Sequence, residues 1–96
     1  MTLDEIRAQL TAQQAVLHDR FKGSVVGIFG SRARGDHRPD SDLDLLVEFA
    51  PDSDFFDLIH MEEYLEELLG VRVHVCSRNG LRGRGIERVK KDLVCN

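Results

Sequence analysis

The stretch DLDLLVEF, residues 42–49, alternates with a period of two. Leu43, Leu45, Val47 and Phe49 fall on one side; Asp42, Asp44, Leu46 and Glu48 fall on the other. Successive side chains of a strand point to opposite faces, so this reads as a strand with one buried side and one acidic, open side. Such a strand needs apolar cover. Leu3, Ile6, Leu10 and Leu17 recur at helical spacing and predict a helix to about residue 19, entered by the capping-box pattern TLDE with Thr2 as N-cap and Glu5 reaching back. Gln13 interrupts that stripe, and Gly23 is expected to end the helix. After the turn APDSD, Phe55, Leu58, Ile59, Leu65 and Leu69 mark a second helix of about 15 residues, stopped by Gly70. Glu62 falls inside its apolar arc, which places it where the helix overhangs a sheet edge.

Two further runs read as strands. SVVGIFG (24–30) is a short apolar run with two glycines and reads as a buried strand ending at Gly30. VRVHVC (71–76) puts Val71, Val73 and Val75 on one face and Arg72, His74 and Cys76 on the other. Residues 31–41 form a loop with room for one helical turn after Ser31, and Pro39 excludes a regular helix reaching Asp42. A short helix over 85–92 and a last strand at LVC complete the order. The pattern α-β-α-β-α-β-α predicts an α+β domain, a single one over residues 1–96, with helices packed on one face of a small sheet.

Composition removes several functional classes. No apolar run approaches the ~20 residues of a membrane span, and the N-terminus lacks the basic-then-apolar pattern of a signal peptide. Cys76 and Cys95 are far apart and form no CxxC pair, which points away from zinc and disulfides and towards the cytoplasm. The net charge of −4 is unevenly spread: residues 1–70 hold 6 Lys/Arg against 15 Asp/Glu, residues 71–96 hold 7 against 2. The basic end, Arg78, Arg82, Arg84, Arg88, Lys90 and Lys91, suits a solvated helix face as well as an acidic partner. It contains no aromatic side chain, so it does not favour single-stranded nucleic acid.

The chemistry gathers in GSRARGDHRPDSDLD, residues 30–44. Asp42 and Asp44, two apart on a strand, share a face and can converge on hard divalent cations. Aspartate is poor in strands, so two of them beside an arginine-rich turn call for a ligand. Gly30-Ser31 follows a buried strand, where glycine admits a ligand close to the backbone and a following turn offers free N–H groups. Arg32, Arg34 and Arg38 bring charge suited to phosphate. DSDLD also resembles the opening of an EF-hand loop, but the sixth position is Leu45 instead of glycine and the twelfth is Pro51 instead of glutamate. There is no GxxxxGK[ST] and no HExxH, and His18, His37 and His60 have no partner spacing.

Gly30-Ser31, ten residues, then Asp42-x-Asp44, set in FGSRARGDHRPDSDLDLLVEF and followed by LEELLGVRVHV, resembles the minimal nucleotidyltransferases of the DNA polymerase beta superfamily over roughly residues 25–77. The resemblance implies a mixed sheet with helices on one face. It implies that Asp42 and Asp44 bind two divalent ions, usually Mg²⁺ with Mn²⁺ as an alternative. Gly30, Ser31 and Arg32 would then hold the triphosphate of a nucleotide, with ATP as substrate. It also implies a separate all-helical partner of the HEPN type, the pair forming a toxin–antitoxin module in which AMP is transferred to the toxin. A sheet this small leaves room for a homodimer. The chain departs from the family at one place: His74 stands where the family carries a third carboxylate. Imidazole prefers softer ions than Mg²⁺ and brings no negative charge. Glu48, four residues along the strand and about 13 Å from the level of Asp44, is no substitute. A weakened enzyme, a Mn²⁺-preferring enzyme and an inactive nucleotide binder that masks its partner all remain open.

Overall fold

Along the chain the elements run α1 (Leu3–Phe21), β1 (Gly23–Phe29), α2 (Ser31–Arg34), β2 (Leu43–Phe49), α3 (Phe55–Leu69), β3 (Val73–Ser77) and β4 (Val94–Cys95). The structure, a computed structural model, describes residues 2–36, 38–78, 89 and 91–95. The strands form one sheet in the order β3-β2-β1-β4. β2 runs antiparallel to β1 and parallel to β3, and β4 is antiparallel to β1. The sheet is therefore mixed, as the resemblance implies. The LVC segment does supply a final strand, and the helix expected over 85–92 falls largely outside the described residues, with Arg82, Arg84 and Arg88.

α1 begins at the predicted N-cap, Thr2. The Glu5 amide donates to Thr2 Oγ1 at 3.1 Å, and the Thr2 hydroxyl donates to Glu5 Oε1 at 3.1 Å, so Glu5 reaches back to the cap's side chain. The end differs from the expected one. The helix runs two residues further, and Lys22 takes the left-handed capping conformation (φ 59°), its amide bonding the His18 carbonyl. Gly23 is needed for another reason: a Cβ there would lie 2.7 Å from Met61 Cε and 2.8 Å from the Phe49 ring, where α3 crosses the start of β1. α3 opens with a full capping box between Asp54 and Asp57 and closes at Gly70.

Leu43, Leu45, Val47 and Phe49 all lie in the core with Ile6, Leu10 and Leu17 of α1 and Met61, Leu65 and Leu69 of α3. At about 25 cal/mol per Å² of apolar surface removed from water, this layer is the main stabilising term. Phe55, read from its spacing as part of the apolar arc, is 69% exposed, because the first turn of α3 projects past the sheet. Met61 takes the deep position instead. β1 carries a bulge between Val25 and Gly27, so Val25 and Ile28, three apart, both face the core.

Polar side chains close the sheet's open backbone. Glu62 Oε2 accepts from the Val75 amide (2.9 Å) and Glu66 Oε2 from the Val73 amide (3.0 Å), so two carboxylates one turn apart on α3 cover the free edge of β3. Glu62 thus lies at a sheet edge, where its place in an apolar arc put it. Gln14 pairs with both the amide and the carbonyl of Val25 at 3.1 and 3.0 Å. Gln13, the break in the apolar stripe, accepts from the Tyr64 hydroxyl at 2.6 Å and ties α1 to α3. Among the described residues, no helix is long and apolar enough to cross a membrane.

Candidate active site

The side of the sheet away from α1 and α3 carries the acidic residues. The registers align Phe29, Asp44 and His74 in one row across β1, β2 and β3. Asp42 precedes β2 and is exposed, and the Leu43 amide beside it bonds the Arg72 carbonyl at 2.7 Å. Arg72, which the sequence reading placed on this face without assigning it a role, holds its Nε 3.9 Å from Asp42 Oδ1. Its signal was its position two residues before His74. Asp42, Asp44 and His74 therefore share one face, as the alternation predicts. The face is less open than expected at the next row, where Leu46 is buried and Leu93 stands against Gly27, the β1 partner of Leu46.

Gly30 joins the phosphate-turn candidate to the carboxylates. Its backbone lies at φ 78°, ψ −156°, a region open essentially to glycine alone. A Cβ at Gly30 would collide with the Asp44 carboxylate, meeting Oδ2 and lying 3.2 Å from Cγ. The turn and the acid are thus in contact, and the contact exists only with glycine. α2 follows as one short turn whose first intrahelical bond is Arg34 N–H to Gly30 O at 3.1 Å. The amides of Ser31, Arg32 and Ala33 precede it and have no intrahelical acceptor.

The three arginines diverge. Arg32 is buried at 6% exposure, and its Nε and Nη2 donate to the Ser41 carbonyl at 3.3 and 3.0 Å. It braces the turn against the residue before Asp42. Arg34 bonds Asp36 (3.1 Å) and Asp92 (2.7 Å), and these two carboxylates hold its pKa above the ordinary value. Arg38 is exposed, and its amide donates to Ser41 Oγ at 2.8 Å. Glu48 faces Arg78 at 3.9 Å, far along the strand from Asp44.

Asp44 is a perturbed carboxylate. Partial burial pushes its pKa up, and the neighbouring Asp42 adds to this. His74, whose Nδ1 stands 3.4 Å from Asp44 Oδ1, opposes the shift by favouring the charged form, as Arg34 does. The Cys76 thiol lies 3.9 Å from His74 Nδ1, and burial, then Asp44 and Glu62, push its pKa up. Asp42 and Asp44 offer the hard oxygen donors that Mg²⁺ and Mn²⁺ take. Among the described residues, no three His, Cys, Asp or Glu side chains form an ion-holding group by themselves, so the remaining ligands would have to be phosphate oxygens and water. A groove lined by Phe49, Pro51, Asp54, Phe55, Leu58 and Ser77 lies at the other end of β2. Its one carboxylate, Asp54, already caps α3, so the site is assigned on its chemistry and not on concavity.

Known proteins are similar to this chain in sequence and fold. A solved structure provisionally assigned as a minimal nucleotidyltransferase matches with a TM-score of 0.81 and 41% identity, over 100% of this chain and 97% of that one. The family model for the nucleotidyltransferase domain matches residues 13–95. The chain belongs to the minimal nucleotidyltransferase family. Among relatives of this nucleotidyltransferase, the protein adenylyltransferase MntA of Thermococcus cleftensis is 39% identical over 98% of this chain and 95% of its own. A Methanocaldococcus jannaschii protein, MJ0128, provisionally assigned as a protein adenylyltransferase, is 32% identical over 97% of this chain and 96% of its own. A crystal structure of a toxin–antitoxin with AMP-PNP shares the fold at a TM-score of 0.74 and 20% identity, over 90% of this chain and 70% of that one.

Proposed function

We propose that this nucleotidyltransferase transfers AMP from ATP to a hydroxyl of a partner protein, and that it is the antitoxin of a pair whose other member is an all-helical HEPN-type toxin. Residues 1–96 act as one catalytic domain in the cytoplasm. Asp42 and Asp44 are the catalytic carboxylates and the ion ligands. Gly30, Ser31 and Arg32 form the nucleotide-binding turn, with Arg32 acting through the shape it imposes on residues 31–41. The observation that carries this reading is the contact between Gly30 and Asp44, which puts a glycine-only turn directly beside the carboxylate pair. The relatives named as protein adenylyltransferases support AMP as the transferred group and a protein as the acceptor. The toxin–antitoxin structure with AMP-PNP supports the partner.

In the reaction the acceptor hydroxyl gives its proton to solvent as its oxygen attacks the α-phosphorus, the bond to the β,γ-phosphates breaks, and pyrophosphate leaves. Divalent ions, Mg²⁺ or Mn²⁺, supply charge neutralisation and activation of the hydroxyl when bound. The chain's own task is positioning. The first-turn amides after Gly30 would receive the triphosphate, and Asp42, just before β2, and Asp44, within it, lie on one side of the sheet. Asp44 turns Oδ2 to Gly30 and Oδ1 to His74. So open a face leaves room for an acceptor brought by the partner.

The test is the intact mass of a co-expressed helical partner. A gain of one or more AMP groups with wild type, absent with Asp44→Asn, is the expected result. Equal neutralisation of the partner by both, with no mass change, would replace this reading with a second one. In that reading the chain is a catalytically weak or inactive nucleotide-binding antitoxin that works by masking. His74 in the row beside Asp44, where a third acid would complete the ion site, is the observation that favours it.

A further inference from the structure

We infer that Asp92 is a positioning residue of the nucleotide-binding turn and acts through Arg34. The inference rests on the proposed role of Gly30, Ser31 and Arg32 in holding the triphosphate. α2 has only four residues, Ser31–Arg34. So short a helix does not stand by itself, because nucleation is unfavourable and the gain comes with propagation. Contacts from outside must fix where its first amides point. Arg32 makes one tie, to the Ser41 carbonyl. Arg34 makes the other. Its Nε donates to Asp36 Oδ2 at 3.1 Å, and its Nη1 donates to Asp92 Oδ2 at 2.7 Å across 58 positions of sequence. Asp36 belongs to the same loop and cannot anchor it. Asp92 comes from the far end of the chain.

Asp92 is itself held to the sheet. It stands just before β4, whose Val94 and Cys95 pair with Ile28 and Gly27 of β1. Leu93, next to it, would lie 2.8 Å from a Cβ at Gly27. From α1, Arg7 Nη2 donates to the Cys95 carbonyl at 3.0 Å. The Asp92 side chain is 22% exposed against 60% for Asp36, so its bond to Arg34 is the better shielded from solvent. β1 therefore carries the turn at its end and β4 along its side, and Asp92 joins the two. Charge gives this role a sign. A carboxylate beside the turn repels a triphosphate, so by charge alone Asp92 opposes binding. What it contributes is order: a turn already held in shape loses less freedom when the ligand arrives. Arg34 is also near enough to favour the charged form of Asp44, which ties the same bond to the carboxylate side of the site.

The experiment is titration of the full chain with a non-hydrolysable ATP analogue in Mg²⁺, at a temperature where every variant is folded. Asp92→Asn should weaken binding about tenfold, the scale of a small misplacement of binding groups. Asp92→Glu keeps the carboxylate and should recover most of that loss. Arg34→Gln leaves β4 untouched and should lose at least as much as Asp92→Asn. Adding Asp92→Asn to Arg34→Gln should cost nothing further, because both changes break one bond. Losses that add in the double variant, or an Asp92→Asn chain that binds the analogue as tightly as wild type or more tightly, overturn the inference and leave the Gly30 turn and the two carboxylates standing. Failure of wild type to bind the analogue overturns both.

Discussion

Gly30 and Asp44 are packed so closely that the acid occupies the space a side chain at residue 30 would need. Fourteen positions separate them in sequence, and β1 and β2 bring them together as antiparallel neighbours. Gly30→Ala must therefore both leave a glycine-only backbone conformation and displace the carboxylate. The expected cost is about 1–3 kcal/mol in urea unfolding. ATP-analogue binding should fall with it, even at temperatures where the variant remains folded.

The raised pKa of Asp44 has a consequence for stability without ions. An acid whose folded-state pKa lies above its ordinary value of 3.8 binds its proton more tightly when folded. Its contribution is favourable below the ordinary value and is lost as pH rises through the folded pKa. At neutral pH the ionised group is a net cost. Asp44→Asn should accordingly melt at a higher temperature than wild type at pH 7 in chelator, and the difference should shrink towards zero as pH falls below 3.8. A variant that melts lower at pH 7 would contradict the account.

Glu62 and Glu66 cover the edge of β3, and an uncovered edge invites pairing with another chain. The double change Glu62→Ala, Glu66→Ala leaves two strand amides without their carboxylates. Stability should drop by about 2 kcal/mol. Sedimentation should also detect concentration-dependent self-association beyond that of wild type under the same conditions.

Arg32 spans the gap between the Gly-Ser turn and Asp42 by donating two bonds to one carbonyl. Lysine cannot reproduce that fork. Arg32→Lys should keep the charge and yet lose about 1–2 kcal/mol of stability, with weaker nucleotide binding. If nucleotide affinity is unchanged, Arg32 has no part in shaping the site.

The strand that carries the carboxylates was legible because its pattern is local. Acid and apolar side chains alternate over residues 42–49, and one face of Leu43, Leu45, Val47 and Phe49 does form the core. The Gly-Ser turn was legible from its spacing to Asp42. What escaped depends on contacts made far along the chain. Gln13 looked like a flaw in an apolar stripe until Tyr64, 51 residues away, bonded it. The bulge between Val25 and Gly27 shifts the facing of β1; Gly27 is its one local mark in SVVGIFG, and a glycine there does not by itself fix which residues turn inwards. Phe55, counted in the apolar arc, is exposed, and Met61, which the arc did not include, is fully buried. Arg32 looked like its two neighbouring arginines, and only the fold turns it inwards.

The central claim is that Asp42 and Asp44, beside the Gly30 turn, move a nucleotidyl group from ATP to a protein. Incubation of the chain and a co-purified helical partner with ATP labelled at the α-phosphate, and separately at the γ-phosphate, tests it most directly. The account predicts that the α-label becomes covalently attached to the partner, that the γ-label leaves as pyrophosphate, and that Asp42→Asn or Asp44→Asn abolishes the attachment. Attachment of the γ-label, or undiminished α-labelling by either variant, would contradict it.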